Sequence, residues 1–183
     1  MPVYHFTFHA YRSWNCDHER GWVQHDSPGI QRPNQRLAAY RDSRANFSPV
    51  TFNDQLQQVL IDGASDICSH RDWKLYVAAT DTTHVHLVVS WREALAVDDV
   101  RSKLKQLLGL FLARECRTNG RPYFSHDDVP RRVRDRAHLY HLMYEYLPDH
   151  AGQFWRLEDL FEGPPRDHKP KRTHLRKKRF GER

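Results

Sequence analysis

Cysteine is scarce. The 183 residues hold three, Cys16, Cys68 and Cys116, far apart and without a C-x-x-C pair. Three isolated thiols build neither a disulfide scaffold nor a four-thiolate zinc site, so a reducing cytoplasm is the expected compartment. Long apolar runs are missing too. Nothing approaches the roughly 20 apolar residues that a membrane helix needs. The start, Met1-Pro2-Val3-Tyr4-His5-Phe6, has neither the basic nor the apolar region of a secretory leader. A membrane partner is therefore not expected. No G-x-x-x-x-G-K-[ST] phosphate loop and no internal repeat occur, which argues against nucleoside-triphosphate chemistry and against a solenoid.

What the chain does have is unevenly placed charge. Residues 166–183 carry nine Lys/Arg against two acidic residues, whereas residues 1–165 carry 20 against 21. The whole positive excess thus belongs to an 18-residue tail that includes Lys171, Arg172, Lys177 and Lys178. Such a block is solvated, disordered on its own and attracted to polyanions. With no amphipathic or lipidated anchor beside it, nucleic acid is the expected partner. The organisation is read as one domain over 1–165 followed by this tail.

Within the domain, Val3–Tyr11 is aromatic and β-branched and reads as a strand. Residues 12–52, rich in Asn, Asp, Pro, Gly and Arg, read as a long surface excursion. Phe52–Ser69 has the apolar spacing of an amphipathic helix, with Asn53 as its cap. Trp73–Thr80 and His84–Trp91 read as strands of an antiparallel hairpin around Asp81-Thr82-Thr83. A helix is expected over Ala96–Cys116, with Arg101, Lys103 and Lys105 on its polar face. A short strand follows near Val129–Val133, and then a last helix over Ala137–Leu147, ended or kinked at Pro148. This order suits an α+β domain, a small antiparallel sheet with helices packed on one face.

The sharpest feature is His84-Val85-His86 inside an apolar strand. Strand side chains alternate, so both imidazoles project from one face, where they can reach one cation and face an open site. A histidine-triad hydrolase wants a third histidine at the next alternate position, which is Val88. A cupin site wants a carboxylate three or four residues on, and the first acid is Glu93. The third reading is a nuclease whose His-hydrophobic-His strand is followed by a tyrosine nucleophile on a later helix. Tyr140, Tyr144 and Tyr146 lie on that helix.

With Asp81–Val89 and Tyr146-Leu147-Pro148-Asp149-His150 taken together, the chain resembles the single-tyrosine HUH transposases of insertion sequences and the REP-associated tyrosine transposases. The likeness runs over roughly residues 3–155. It implies a ferredoxin-like HUH endonuclease architecture and a cytoplasmic, nucleoid-associated transposase acting on single-stranded DNA near hairpins through a 5′-phosphotyrosine. It further implies Mg²⁺ or Mn²⁺ on His84 and His86, and a homodimer. Family members often carry Gln or Asn four residues after the tyrosine; here that position is His150, the expected third ligand. Tyr146 is the expected nucleophile. On an α-helix Tyr140 and Tyr144 share a face, while Tyr146 lies about 200° around from Tyr144, and Pro148 rather than a ligand follows Tyr144. Arg101, Lys103 and Lys105, together with Arg131, Arg132, Arg134 and Arg136, are expected to hold DNA phosphates. The alternative is a domesticated, non-cleaving nucleic-acid-binding protein with the same fold.

Overall fold

The computed structural model describes residues 1–165, apart from 20, 25, 26, 119, 127, 128, 159 and 164; at 23, 24, 27 and 28 it describes the backbone alone. The basic tail therefore lies outside the described residues. In chain order the elements are β1 (Val3–His9), β2 (Trp22–Gln24), β3 (Ser27–Gln31), α1 (Gln35–Ser43), α2 (Asp54–His70), β4 (Lys74–Asp81), β5 (His84–Ser90) and α3 (Val97–Glu115). They continue with β6 (Arg131–Arg132), α4 (Arg136–His141), a π-helical turn (Leu142–Tyr146), a 3₁₀ turn (Leu147–Asp149) and β7 (Phe154–Arg156).

Five strands form one antiparallel sheet in the order β6-β1-β5-β4-β7, with β5 at its centre. Alternation divides β5 cleanly. Val85, Leu87 and Val89 face the main core, shared with Phe6, Phe8, Leu60, Ile67, Leu104, Leu108 and Leu112. Val88 faces the other side with Val77, Ala79, Leu139, Leu142, Met143 and Leu147. The α+β class and the antiparallel sheet agree with the sequence reading. The two long helices, α2 and α3, do pack on one face, but α4 and the turns after it cover the opposite face. The helix itself was expected, but which sheet face its Leu139, Leu142 and Met143 cover depends on the tertiary packing and not on spacing along the chain.

Asn53 caps α2, its side chain accepting the Leu56 N–H at 2.9 Å. The excursion is more structured than its composition suggested. It contains the β2–β3 hairpin and α1 around a small core of Cys16, Trp22 and Ala38. The chain just before it and its last residue are tied to the hairpin turn that precedes His84: the Ala10 N–H donates to the Thr83 carbonyl, and the Phe52 N–H to the Thr82 carbonyl, both at 2.8 Å. β7 was not foreseen, because Phe154-Trp155-Arg156 is too short to show periodicity.

The last helix departs most from expectation. It stays α-helical only to His141, then widens into the π turn, and the Leu147 N–H donates to the Leu142 carbonyl five residues back. Pro148 has no N–H with which to continue the ladder, so the chain closes in a 3₁₀ turn and leaves His150 extended. Met143 and Leu147, both fully buried, pin this irregular stretch to the sheet. Full burial of such side chains contributes roughly 1.5–3 kcal/mol each, enough to offset a poorer hydrogen-bond pattern.

Candidate functional site

On the face carrying Val88, β1 and β5 present polar residues at alternate positions. The register sets His9 opposite His84, Thr7 opposite His86 and His5 opposite Val88. A groove of about 910 Å³ opens over these residues, walled by His138, His141, Leu142 and Tyr146 and rimmed by Arg131, Arg132 and Arg134.

His84 and His86 line it and His150 comes up beside them, one ring nitrogen of each lying within 4.8 Å of the others. Their ring centroids are 4.7 Å (His84–His86), 4.6 Å (His86–His150) and 5.4 Å (His84–His150) apart. In each histidine Nδ1 is already engaged. For His84 the partner is Thr83 Oγ1 at 2.9 Å, and for His150 the Leu147 carbonyl at 3.2 Å. For His86 the partners are Thr7 Oγ1 at 3.0 Å and His5 Nε2 at 2.9 Å. An Nδ1–H held by an outer partner is the arrangement that orients a metal-binding imidazole and leaves Nε2 bare. His86 Nε2 is buried and has no hydrogen-bond partner among the described residues. An orphaned buried polar atom costs about 1–3 kcal/mol, a cost that a cation at this point removes. The donor set and the orphaned nitrogen both fit a metal ion.

The electrostatics agree. Burial, reinforced by His5, His84, His150 and His9, lowers the His86 pKa to about 2. Burial also lowers His84 to about 4, despite the opposing pull of Asp81. His5 falls to about 4 through burial and the nearby Arg131, with smaller effects from His138 and His150. Of the cluster, His84 and His86 are thus neutral at physiological pH, as metal ligation requires. The expectation that both histidines of the strand face an open site holds for half-buried His84 only. His86 is 4% exposed, covered by the groove's other side chains.

Tyr146 stands at the edge of this cluster, 36% exposed. Its ring centroid is 5.3 Å from that of His150 and 6.0 Å from that of His86, both edge-on. Tyr140 and Tyr144 point elsewhere, stacked on each other at 4.6 Å and packed edge-on against Phe161. Arg156 covers Tyr144 at 4.2 Å. His150 reaches Tyr146 not by continuing a helix but by the turn through Pro148. The chain after it is clamped by a buried network: Thr80 Oγ1 donates to Gln57 Oε1 at 2.9 Å, and the Gln153 N–H donates to Thr80 Oγ1 at 2.8 Å. The Gly152 N–H donates to the Thr80 carbonyl at 3.2 Å.

Of the basic residues singled out in sequence, Arg132 and Arg134 line the groove. Arg136 lies over the Phe161 ring, 4.9 Å from its centroid. Arg101, Lys103 and Lys105 are on α3, across the sheet from the groove. There Arg101 pairs with Asp98 at 3.4 Å, Lys105 bonds the Ser125 carbonyl, and Lys103 is half-buried. Lys171, Arg172, Lys177 and Lys178 fall outside the described residues. Sequence reading missed His5, Thr7 and His9. The signal was present in Val3–His9, where polar residues at 5, 7 and 9 alternate with Phe6 and Phe8.

The fold and site define an α+β protein whose central antiparallel strand carries two members of a three-histidine cluster able to hold a metal ion. No family model and no curated protein matches the sequence. Among solved structures it is similar to a REP-associated tyrosine transposase bound to a REP hairpin. The identity is 11% over 76% of this chain and 61% of that one, with a TM-score of 0.41. The chain thus spans about three fifths of that protein's length.

Proposed function

We propose that this protein is a metal-dependent single-stranded DNA nicking and joining enzyme of the transposase type, with Tyr146 as nucleophile. The observation that carries the reading is the meeting of a three-histidine cluster and an exposed tyrosine in one groove with an arginine rim. The tyrosine can form a covalent link to a phosphate, which splits one transfer into two steps and conserves the energy of the phosphodiester. Arg131, Arg132 and Arg134 hold the DNA backbone at the mouth of the groove, where guanidinium groups pair well with phosphate. His84, His86 and His150 hold the metal, and Thr83, Thr7, His5 and the Leu147 carbonyl fix their ring orientations. When bound, a divalent cation there polarises the scissile phosphate and offsets developing charge. Three imidazoles without a carboxylate favour Mn²⁺ over the oxygen-seeking Mg²⁺. DNA transposition at hairpins, and dimer formation, are the biological setting this reading proposes.

The test is incubation of the full chain with a labelled single-stranded hairpin library and Mn²⁺, followed by denaturing electrophoresis. A covalent protein–DNA band that disappears with a chelator is expected. Binding without any covalent band points to the non-cleaving alternative.

A further inference from the structure

A phenol with an ordinary pKa near 10 is a poor nucleophile at neutral pH, so Tyr146 needs somewhere to send its proton. The groove contains a group built for this that the sequence reading did not single out. His141 lines the same groove, and its ring lies nearly parallel to that of Tyr146, with centroids 6.3 Å apart and planes at 23°. Its Nδ1 is 2.9 Å from Glu145 Oε2. A carboxylate on Nδ1 holds the proton there, leaves Nε2 as the basic atom and steadies the cation that forms when Nε2 is protonated.

The backbone explains the pairing. On an α-helix, residues five apart diverge by about 140°, so His141 and Tyr146 would face different ways. The π turn over Leu142–Tyr146 inserts the extra residue that brings positions five apart onto one side. The other imidazoles near the groove are engaged elsewhere, His9 lying against the His84 ring with centroids 5.8 Å apart. His84, His86 and His150 form the metal cluster, His5 Nε2 is held on His86 Nδ1, and His138 Nδ1 takes the Arg134 N–H.

We infer that His141, positioned by Glu145, is the proton acceptor for the Tyr146 hydroxyl, an assignment that rests on the nicking reading above. In the step, the Tyr146 O–H bond breaks and its proton passes to His141 Nε2. The phenolic oxygen bonds to phosphorus and the bond from phosphorus to the 3′ oxygen breaks. The departing 3′ oxygen takes a proton from water. Charged and titratable groups around His141 are Glu145 on its Nδ1 and those that share its groove: His138 and Tyr146 from its own helical stretch, His5 and His9 from β1, His84 and His86 from β5, and Arg131, Arg132 and Arg134 at the rim.

The experiment uses the full chain, saturating Mn²⁺ and a labelled hairpin oligonucleotide that the wild type cleaves. Rates of adduct formation are compared across pH 5.5–9 for wild type, His141→Gln, His141→Ala and Glu145→Gln. General-base contributions are typically 10²–10⁴-fold, so His141→Gln should lose about 100-fold or more at pH 7 and keep its Mn²⁺ affinity. The variant's rate should then climb towards high pH, where the phenol ionises unaided. Free imidazole should restore His141→Ala in proportion to its unprotonated fraction, and Glu145→Gln should show an intermediate loss. A wild-type rate and pH profile in His141→Gln overturns the inference while leaving the nicking reading intact. Loss of Mn²⁺ affinity in step with the rate also overturns it, since His141 would then be acting through the metal cluster. Absence of any adduct with the wild-type chain overturns the nicking reading itself.

Discussion

Tyr146 differs from its neighbours Tyr140 and Tyr144 in what surrounds it, and that difference is testable one oxygen at a time. Tyr146→Phe removes a hydroxyl and little volume, so folding and hairpin binding should persist while the covalent adduct disappears. Tyr140→Phe and Tyr144→Phe, altering rings packed edge-on against Phe161, should remain active. An adduct that survives in Tyr146→Phe and vanishes in Tyr144→Phe would reassign the nucleophile. The buried state of His86 dictates the choice of metal-site variant. His86→Gln and His84→Gln fill more of the space than Ala would. Loss of outer-shell partners alone costs about 10–100-fold in metal affinity, so losing a ligand should lower Mn²⁺ affinity by at least as much, measured by calorimetry. Unchanged affinity in both variants would remove the metal assignment. A third expectation concerns acid. The lowered values at His5, His84 and His86 mean that the unfolded chain takes up protons below about pH 6.5 that the folded chain refuses down to about 4, or about 2 for His86. Stability of the metal-free protein should therefore fall as pH drops from 6.5 towards 4. Urea midpoints should fall less steeply over this range in His86→Gln; equal slopes would sink the account.

At the level of elements, the irregular stretch from His141 to Gln153 governs the site. The π turn presents Tyr146, the 3₁₀ turn redirects the chain, and the Gln57–Thr80–Gln153 network fixes the segment that follows His150. Gly152 sits against this network so closely that a Cβ would run into Gln57 Oε1 and the Thr80 carbonyl. Gly152→Ala should destabilise the fold by about 1–3 kcal/mol, as overpacking does, and also weaken Mn²⁺ binding by displacing His150. A stability loss with unaltered metal affinity would mean that the clamp does not position the ligand. The regular elements were legible because periodicity reports them: β5 alternates and α2 shows a helical stripe with an Asn cap. The irregular stretch was not, since no local pattern distinguishes a π turn from α-helix when both bury Leu142, Met143 and Leu147.

Across the whole molecule, charge is arranged in two tiers, three arginines at the groove and a net +7 in residues 166–183. The tail is proposed to supply affinity without selectivity, because phosphate contacts position a protein and do not read bases. Deleting 166–183 should weaken binding to all single strands alike and flatten the salt dependence by about 0.7 in slope for each DNA phosphate that the tail neutralises. Cleavage position should be unchanged. A salt slope identical to that of the full chain would leave the tail with no part in binding. No helix among the described residues is long and apolar enough to cross a membrane.

The sequence by itself determined the sheet's two faces, because alternation along β1 and β5 is a property of the backbone pleat that residue type alone reveals. It thereby determined that His84 and His86 share a face, and it brought Tyr146 and His150 into view. Only the tertiary structure decided that His5 and Thr7 tie His86 from the neighbouring strand, that α3 and its cations lie behind the sheet, and that His141 meets Tyr146. Those relations depend on strand register and on a helical widening held in place by buried side chains far away in sequence. Contacts of that kind are set by how the layers pack, and spacing along the chain does not encode them.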